Sequence, residues 1–100
     1  MEFVYEPALQ EYMQKQKKST IVVEVVTSDY SDFEISELHV HLVDDKRAEF
    51  FKTKKRYFVK KTEMGEVLLP PFHLKFEDTV RFGLKTFWFF SYLTYQGIQI

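Results

Sequence analysis

The sequence predicts a mainly β domain of the α+β class with one short amphipathic helix near its N-terminus. Three observations lead there. Residues 37–43, 72–76 and 80–84 alternate polar with apolar side chains, the period of a strand with one face covered. The segment Thr20–Thr27 is β-branched at almost every position. Helical spacing follows Pro7, where Ala8, Leu9, Tyr12 and Met13 share one face. At 100 residues, with 45% apolar side chains, the chain suits a single domain spanning 1–100 with one modest core.

Residues 2–5 alternate and form a short first strand. Pro7 fits a first helical position, where its missing N–H costs nothing, and opens a helix of about ten residues that must dock to be stable. Lys15, Lys17 and Lys18 lie toward or beyond the negative end of its dipole. Thr20–Thr27 is nearly continuous in its hydrophobicity and reads as a central strand covered on both faces. Ser28-Asp29-Tyr30-Ser31-Asp32 has the composition of a loop, which extends toward Ser36. Glu37–Val43 then places Leu38, Val40 and Leu42 on one face and Glu37, His39 and His41 on the other.

Phe50-Phe51 and Arg56-Tyr57-Phe58-Val59 read as two strands of a hairpin joined by a basic link. Glu63-Met64-Gly65-Glu66 supplies a turn and Pro70-Pro71 a break. Phe72, Leu74 and Phe76 alternate, as do Val80, Phe82 and Leu84. Lys85–Tyr92 shows neither period, so its Phe87-Trp88-Phe89-Phe90 run fits a short helix as well as a strand. Tyr92–Ile100 returns to a strand, with Gly97 marking a bulge or close backbone approach.

Charge and composition restrict function. Fifteen acids against fourteen bases give a net charge of −1, but residues 19–45 carry seven acids and no base, whereas residues 46–61 carry eight bases and one acid. The start of the chain lacks the basic and apolar regions of a secretory signal, and no apolar run approaches the ~20 residues of a membrane span, which predicts a cytoplasmic domain with no membrane partner. The absence of cysteine removes thiolate zinc sites, cysteine-ligated iron–sulfur clusters and thiol catalysis together. Three isolated glycines write neither a dinucleotide fingerprint nor a P-loop, and no Gly-x-Ser-x-Gly elbow is present, so the expectation is a non-enzymatic domain without a cofactor.

The order of the pieces resembles the HesB-like, A-type iron–sulfur assembly family, and within it the small bacterial proteins with a Cys-Cys or selenocysteine motif. The similar stretches are the opening strand, the helix Glu6-Pro7-Ala8-Leu9-Gln10-Glu11-Tyr12, the strand Thr20–Val26 and the close from Phe87 to Ile100, about half the chain. The resemblance implies a compact, mixed-sheet pseudo-barrel with one helix on it. It does not carry the family's ligands across. Members of the small branch place cysteines just after the first long strand, where this chain has Thr27-Ser28-Asp29-Tyr30-Ser31-Asp32, and these hard oxygen donors are poor substitutes for thiolate.

Three candidate sites remain. His39 and His41 stand on one strand face about 7 Å apart at Cα, close enough to share a divalent ion, with Glu37, Asp44, Asp45 or His73 as further ligands. Spacing supplies two ligands where three or four are needed, and an ordinary polar strand face carries the same pattern. Lys54, Lys55, Arg56, Lys60 and Lys61, interleaved with Tyr57 and Phe58, suit an anion or RNA backbone, or the solvated face of an edge hairpin. A pI near 6.3 argues against a nucleic-acid partner. Phe87, Trp88, Phe89, Phe90 and Tyr92 are either core or a surface for a protein partner or a homodimer. The reading is a HesB-like scaffold without cluster ligands, acting by protein contact or self-association through this aromatic region.

Overall fold

The computed structural model describes residues 1–100. The chain runs β1 (Glu2–Tyr5), α1 (Pro7–Gln16), β2 (Thr20–Tyr30), β3 (Phe33–Val43), α2 (Asp45–Thr53), β4 (Phe58–Lys61), β5 (Glu66–Leu69), β6 (Lys75–Phe87) and β7 (Phe90–Gln99). The mainly β, mixed-sheet expectation matches this arrangement. Two helices are present where one was expected, and the strands form two separate sheets that do not close into a barrel. One sheet has the order β3-β2-β5-β4, with β2 parallel to β5; the other has the order β1-β6-β7, with β1 parallel to β6.

The continuous apolar run of β2 follows from its two neighbours. Ile21 and Val23 face a core shared with Leu9 and Met13 of α1 and with Val80, Phe82 and Ile98 of the second sheet. Val22 faces the opposite way, into a smaller core with Val43, Ala48, Phe51, Tyr57 and Leu68 beneath α2. Between the two cores, at Thr20–Val23, β2 keeps no polar face and is interior in its sheet as the sequence predicts, whereas Glu24–Val26 are half-buried and Thr27–Tyr30 exposed. On one flank the sheets are clasped by the Tyr5 and Thr62 hydroxyls, 2.9 Å apart. Burial pushes the Tyr5 phenol above its ordinary range, a shift that the Thr62 hydrogen bond partly offsets.

Helix α2 replaces the strand expected at Phe50-Phe51. Its start was written in Asp44, whose carboxylate accepts the Arg47 amide at 2.8 Å and caps the first turn. Ala48 and Phe51, three residues apart, supply its buried stripe, and the Arg47 guanidinium lies 5.0 Å from the centroid of Phe50 and 5.1 Å from that of Phe51. Two adjacent phenylalanines carry no period of their own, so the cap decides.

The expected loop from Ser28 to Ser36 is also corrected. β2 and β3 continue to Tyr30 and Phe33, leaving a loop of Ser31-Asp32. Cross-strand pairs override the polar composition: the Tyr30 and Phe33 rings stack at 5.2 Å and the Thr27 and Ser36 hydroxyls meet at 3.1 Å. Gly97 does mark an irregularity. It sits at φ 92° opposite a register shift between Phe76 and Arg81, and a Cβ there would lie 2.4 Å from the Thr79 carbonyl oxygen.

Candidate functional site

The ambiguous run from Lys85 to Tyr92 is a hairpin. Phe87 pairs with Phe90, and Trp88-Phe89 is the two-residue loop joining β6 to β7. All four rings leave the core: Phe87 is 62% exposed, Trp88 77%, Phe89 91% and Phe90 69%, with Tyr92 at 49% behind them. These aromatics are therefore exposed and do not form the core. Trp88 has φ 59°. A positive φ at the first central position of a two-residue hairpin loop favours glycine, so a bulky residue there is held against local preference. Neighbouring rings touch only one another, with centroids 6.1 Å apart for Phe87–Trp88 and 6.4 Å for Trp88–Phe89, and stay largely in water. Folding therefore gains little from the four largest side chains of this tip.

His39 and His41 lie on the face of β3 that continues past α2. Each ring is set against a different carboxylate. His39 Nε2 is 3.3 Å from Glu37 Oε2, whereas His41 Nε2 is 3.5 Å from Glu24 Oε2 on the adjacent strand. Asp44 is committed to its cap, and His73 is exposed between β5 and β6. No group of three or more His, Asp or Glu side chains comes together as a metal site.

Desolvation holds the His41 pKa below its ordinary value; nearby His39 and Arg47 act in the same direction, and Glu24 opposes them. The depressed folded-state pKa makes the neutral imidazole the form that the fold prefers. Stability attached to His41 is thus complete above pH ~6.5 and declines as pH falls toward the lower folded value. His41→Gln is expected to flatten this part of the stability profile, measured by urea unfolding at several pH values. An unchanged slope would show that other groups set it.

The basic residues do not form one patch. Lys54, Lys55 and Arg56 occupy the exposed link from α2 to β4, in place of the hairpin link expected there. Lys60 and Lys61 are consecutive on the edge strand β4, so their side chains leave on opposite faces. Lys52 is paired with Glu66 at 2.6 Å. Tyr57 is buried against Phe51, their centroids 5.0 Å apart, and presents no stacking surface to a base.

The largest cleft, about 650 Å³, lies along β1 and is lined by Met1–Tyr5, Gln10 and Lys61–Met64. Its ionisable groups Glu2, Tyr5, Lys61 and Glu63 form no ion pair with one another, and the Tyr5 hydroxyl is held by Thr62. Two smaller clefts follow the seam between β3 and β7. One holds Ser36–Leu38 beside Tyr95 and Ile98–Ile100; the other holds Val40–Leu42 beside Ser91–Leu93, with Tyr12, Gln16 and Lys18 of the α1 end. These neighbours run β3 antiparallel to β7 and project the two long hairpin tips from opposite ends of the seam. The second tip carries Tyr30 at 55% and Phe33 at 57% exposure, on residues whose loop-like composition gives no signal of a strand end. Compared with protein-family models, with curated proteins and with solved structures, the chain shows no match.

Proposed function

We propose that the protein is a non-enzymatic interaction domain, a HesB-like scaffold without cluster ligands, whose binding element is the aromatic tip of the β6–β7 hairpin. The observation that carries this reading is Trp88: a large apolar side chain, on a backbone that favours glycine, pointing into solvent among three phenylalanines. Contiguous exposed apolar surface of this kind marks a contact surface. The N-terminal strand and helix preceding the long β2 follow the element order that the family resemblance implies, although the two sheets do not close into its pseudo-barrel.

The test is a titration with an apolar fluorescent dye such as anilinonaphthalene sulfonate. The native protein is expected to bind it at the tip, and Phe89→Asp to remove most of that signal without changing the circular dichroism. Dye binding unaltered by Phe89→Asp would overturn the reading.

Self-association is a second reading, favoured by β7. This edge strand carries no charged side chain from Phe90 to Gln99, and so lacks the lysine that commonly blunts strand edges. Under it, sedimentation gives a reversible dimer that Phe89→Asp converts to monomer. A monomer at all micromolar concentrations would remove this version.

A further inference from the structure

We infer that the surface met by the β6–β7 tip is an anionic lipid interface, into which the aromatic rings insert while flanking lysines contact the headgroups. This rests on the tip being the binding element and names what it binds. The lack of a spanning segment, from which no membrane partner was expected, concerns crossing a bilayer; lying on one is a different physical claim.

Shape comes first. The tip is convex: the two-residue loop and the pair that closes it present four consecutive rings, and the most terminal, Phe89, is 91% exposed. A convex apolar element needs either a matching hollow in a protein or a medium that deforms around it, and the boundary between headgroups and acyl chains is such a medium. Tryptophan is the side chain most at home there, with an apolar ring and one N–H donor.

Charge is the second argument. From Thr79 to Ile100 the side chains include Arg81 and Lys85 but no acid. Lys85 pairs with Tyr92, two residues behind Phe87, which sets it about 7 Å back along the strand. An interfacial element sinks its apolar face by about 5–10 Å, so rings at the tip and a cation at Lys85 match the depth of the boundary. The end of α1 adds Lys18, which shares a cleft with Tyr92, and Lys15 and Lys17 lie in the same stretch.

The opposite tip provides the contrast. Tyr30 and Phe33 are also exposed, but Asp29, Asp32 and Glu34 surround them, and this hairpin projects from the other end of the β3–β7 seam. The Glu6 carboxylate lies against the β6–β7 hairpin only at Gly83 and Thr94, four residues behind Phe87, so an anionic surface favours this end over the acidic tip. That polarity orients the domain with β6–β7 toward the lipid.

The experiment is flotation of the full chain with vesicles of phosphatidylcholine alone and of phosphatidylcholine mixed with phosphatidylserine, with Trp88 emission recorded in parallel. Binding and a blue shift are expected with the mixed vesicles, falling steeply with salt. Phe89→Asp should weaken binding at least about tenfold, as expected for losing one inserted phenyl ring. Lys18→Gln and Lys85→Gln should each weaken it about fivefold, near the value of a cation at an anionic leaflet. Phe33→Asp, at the acidic tip, should leave it unchanged. Equal binding to both vesicle types would overturn the assignment of an anionic surface. No vesicle binding, with Phe89→Asp still abolishing dye binding or a dimer, would overturn the lipid assignment and leave the tip as a protein-docking element. If Phe89→Asp alters none of the three, both readings fall together.

Discussion

Phe82→Ala is expected to lower the free energy of unfolding by about 3–5 kcal/mol, measured from the shift of a urea unfolding midpoint. Phe82 is fully buried on β6, the middle strand of its sheet, opposite Tyr5 of β1 and Tyr95 of β7. Its ring lies parallel to Phe3 at 6.1 Å and tilted against Tyr5 at 5.8 Å. Truncation removes these contacts and leaves a cavity that strands paired on both sides cannot close by collapsing. A domain of this size has about 5–15 kcal/mol in total, so the loss approaches unfolding for the lower part of that range. Phe89→Ala, the same chemical change seven residues later, is expected to move the midpoint by no more than about 0.5 kcal/mol, because its side chain is already in water. A small effect at Phe82 would mean that the two sheets do not share the core described.

Trp88→Gly carries the opposite sign. The positive φ at Trp88 costs a bulky residue about 1–2 kcal/mol that glycine does not incur. Glycine's greater freedom in the unfolded chain offsets about 0.4–1 kcal/mol of this gain. The expected result is unchanged stability or an increase of up to about 1.6 kcal/mol, together with loss of binding to dye and to anionic vesicles. A residue whose removal leaves the fold intact and abolishes contact is retained for contact. Destabilisation by 2 kcal/mol or more would instead give Trp88 a structural role that its exposure does not show.

How far these features were legible in the sequence depends on which force set them. The start of Thr20–Thr27 was legible as a central strand because it is apolar on both sides, and the two cores that flank Ile21–Val23 require that. Pro7 and the spacing of Leu9 and Met13 gave α1 for the same reason: one period and one buried stripe. α2 is not legible at Phe50-Phe51, because adjacent rings carry no helical period and only tertiary burial separates Phe51, which is buried, from Phe50 on the surface. The residues of the β2–β3 tip look like a loop in isolation, and pairing along eleven registered positions makes them strand. At the site, the density of rings from Phe87 to Tyr92 was visible, but their exposure was not. Exposure depends on the turn falling at Trp88-Phe89, where the local residues oppose it. The histidine pair shows the converse: both rings lie on one strand face as the i, i+2 spacing implies, while the pairing of His39 with Glu37 and of His41 with Glu24 belongs to side-chain geometry that spacing does not encode.

The central claim is that the β6–β7 tip is kept for contact and stands in water until it meets its surface. Trp88 is the only tryptophan of the chain, so its emission reports on the tip alone. The most direct measurement is acrylamide quenching of that emission on dilution to a concentration where sedimentation shows monomer, repeated with phosphatidylserine-containing vesicles. The expected result is a solvated, freely quenched indole in the monomer that becomes blue-shifted and shielded on the vesicles. An indole already shielded in the monomer would contradict the account, because it would place Trp88 inside the fold.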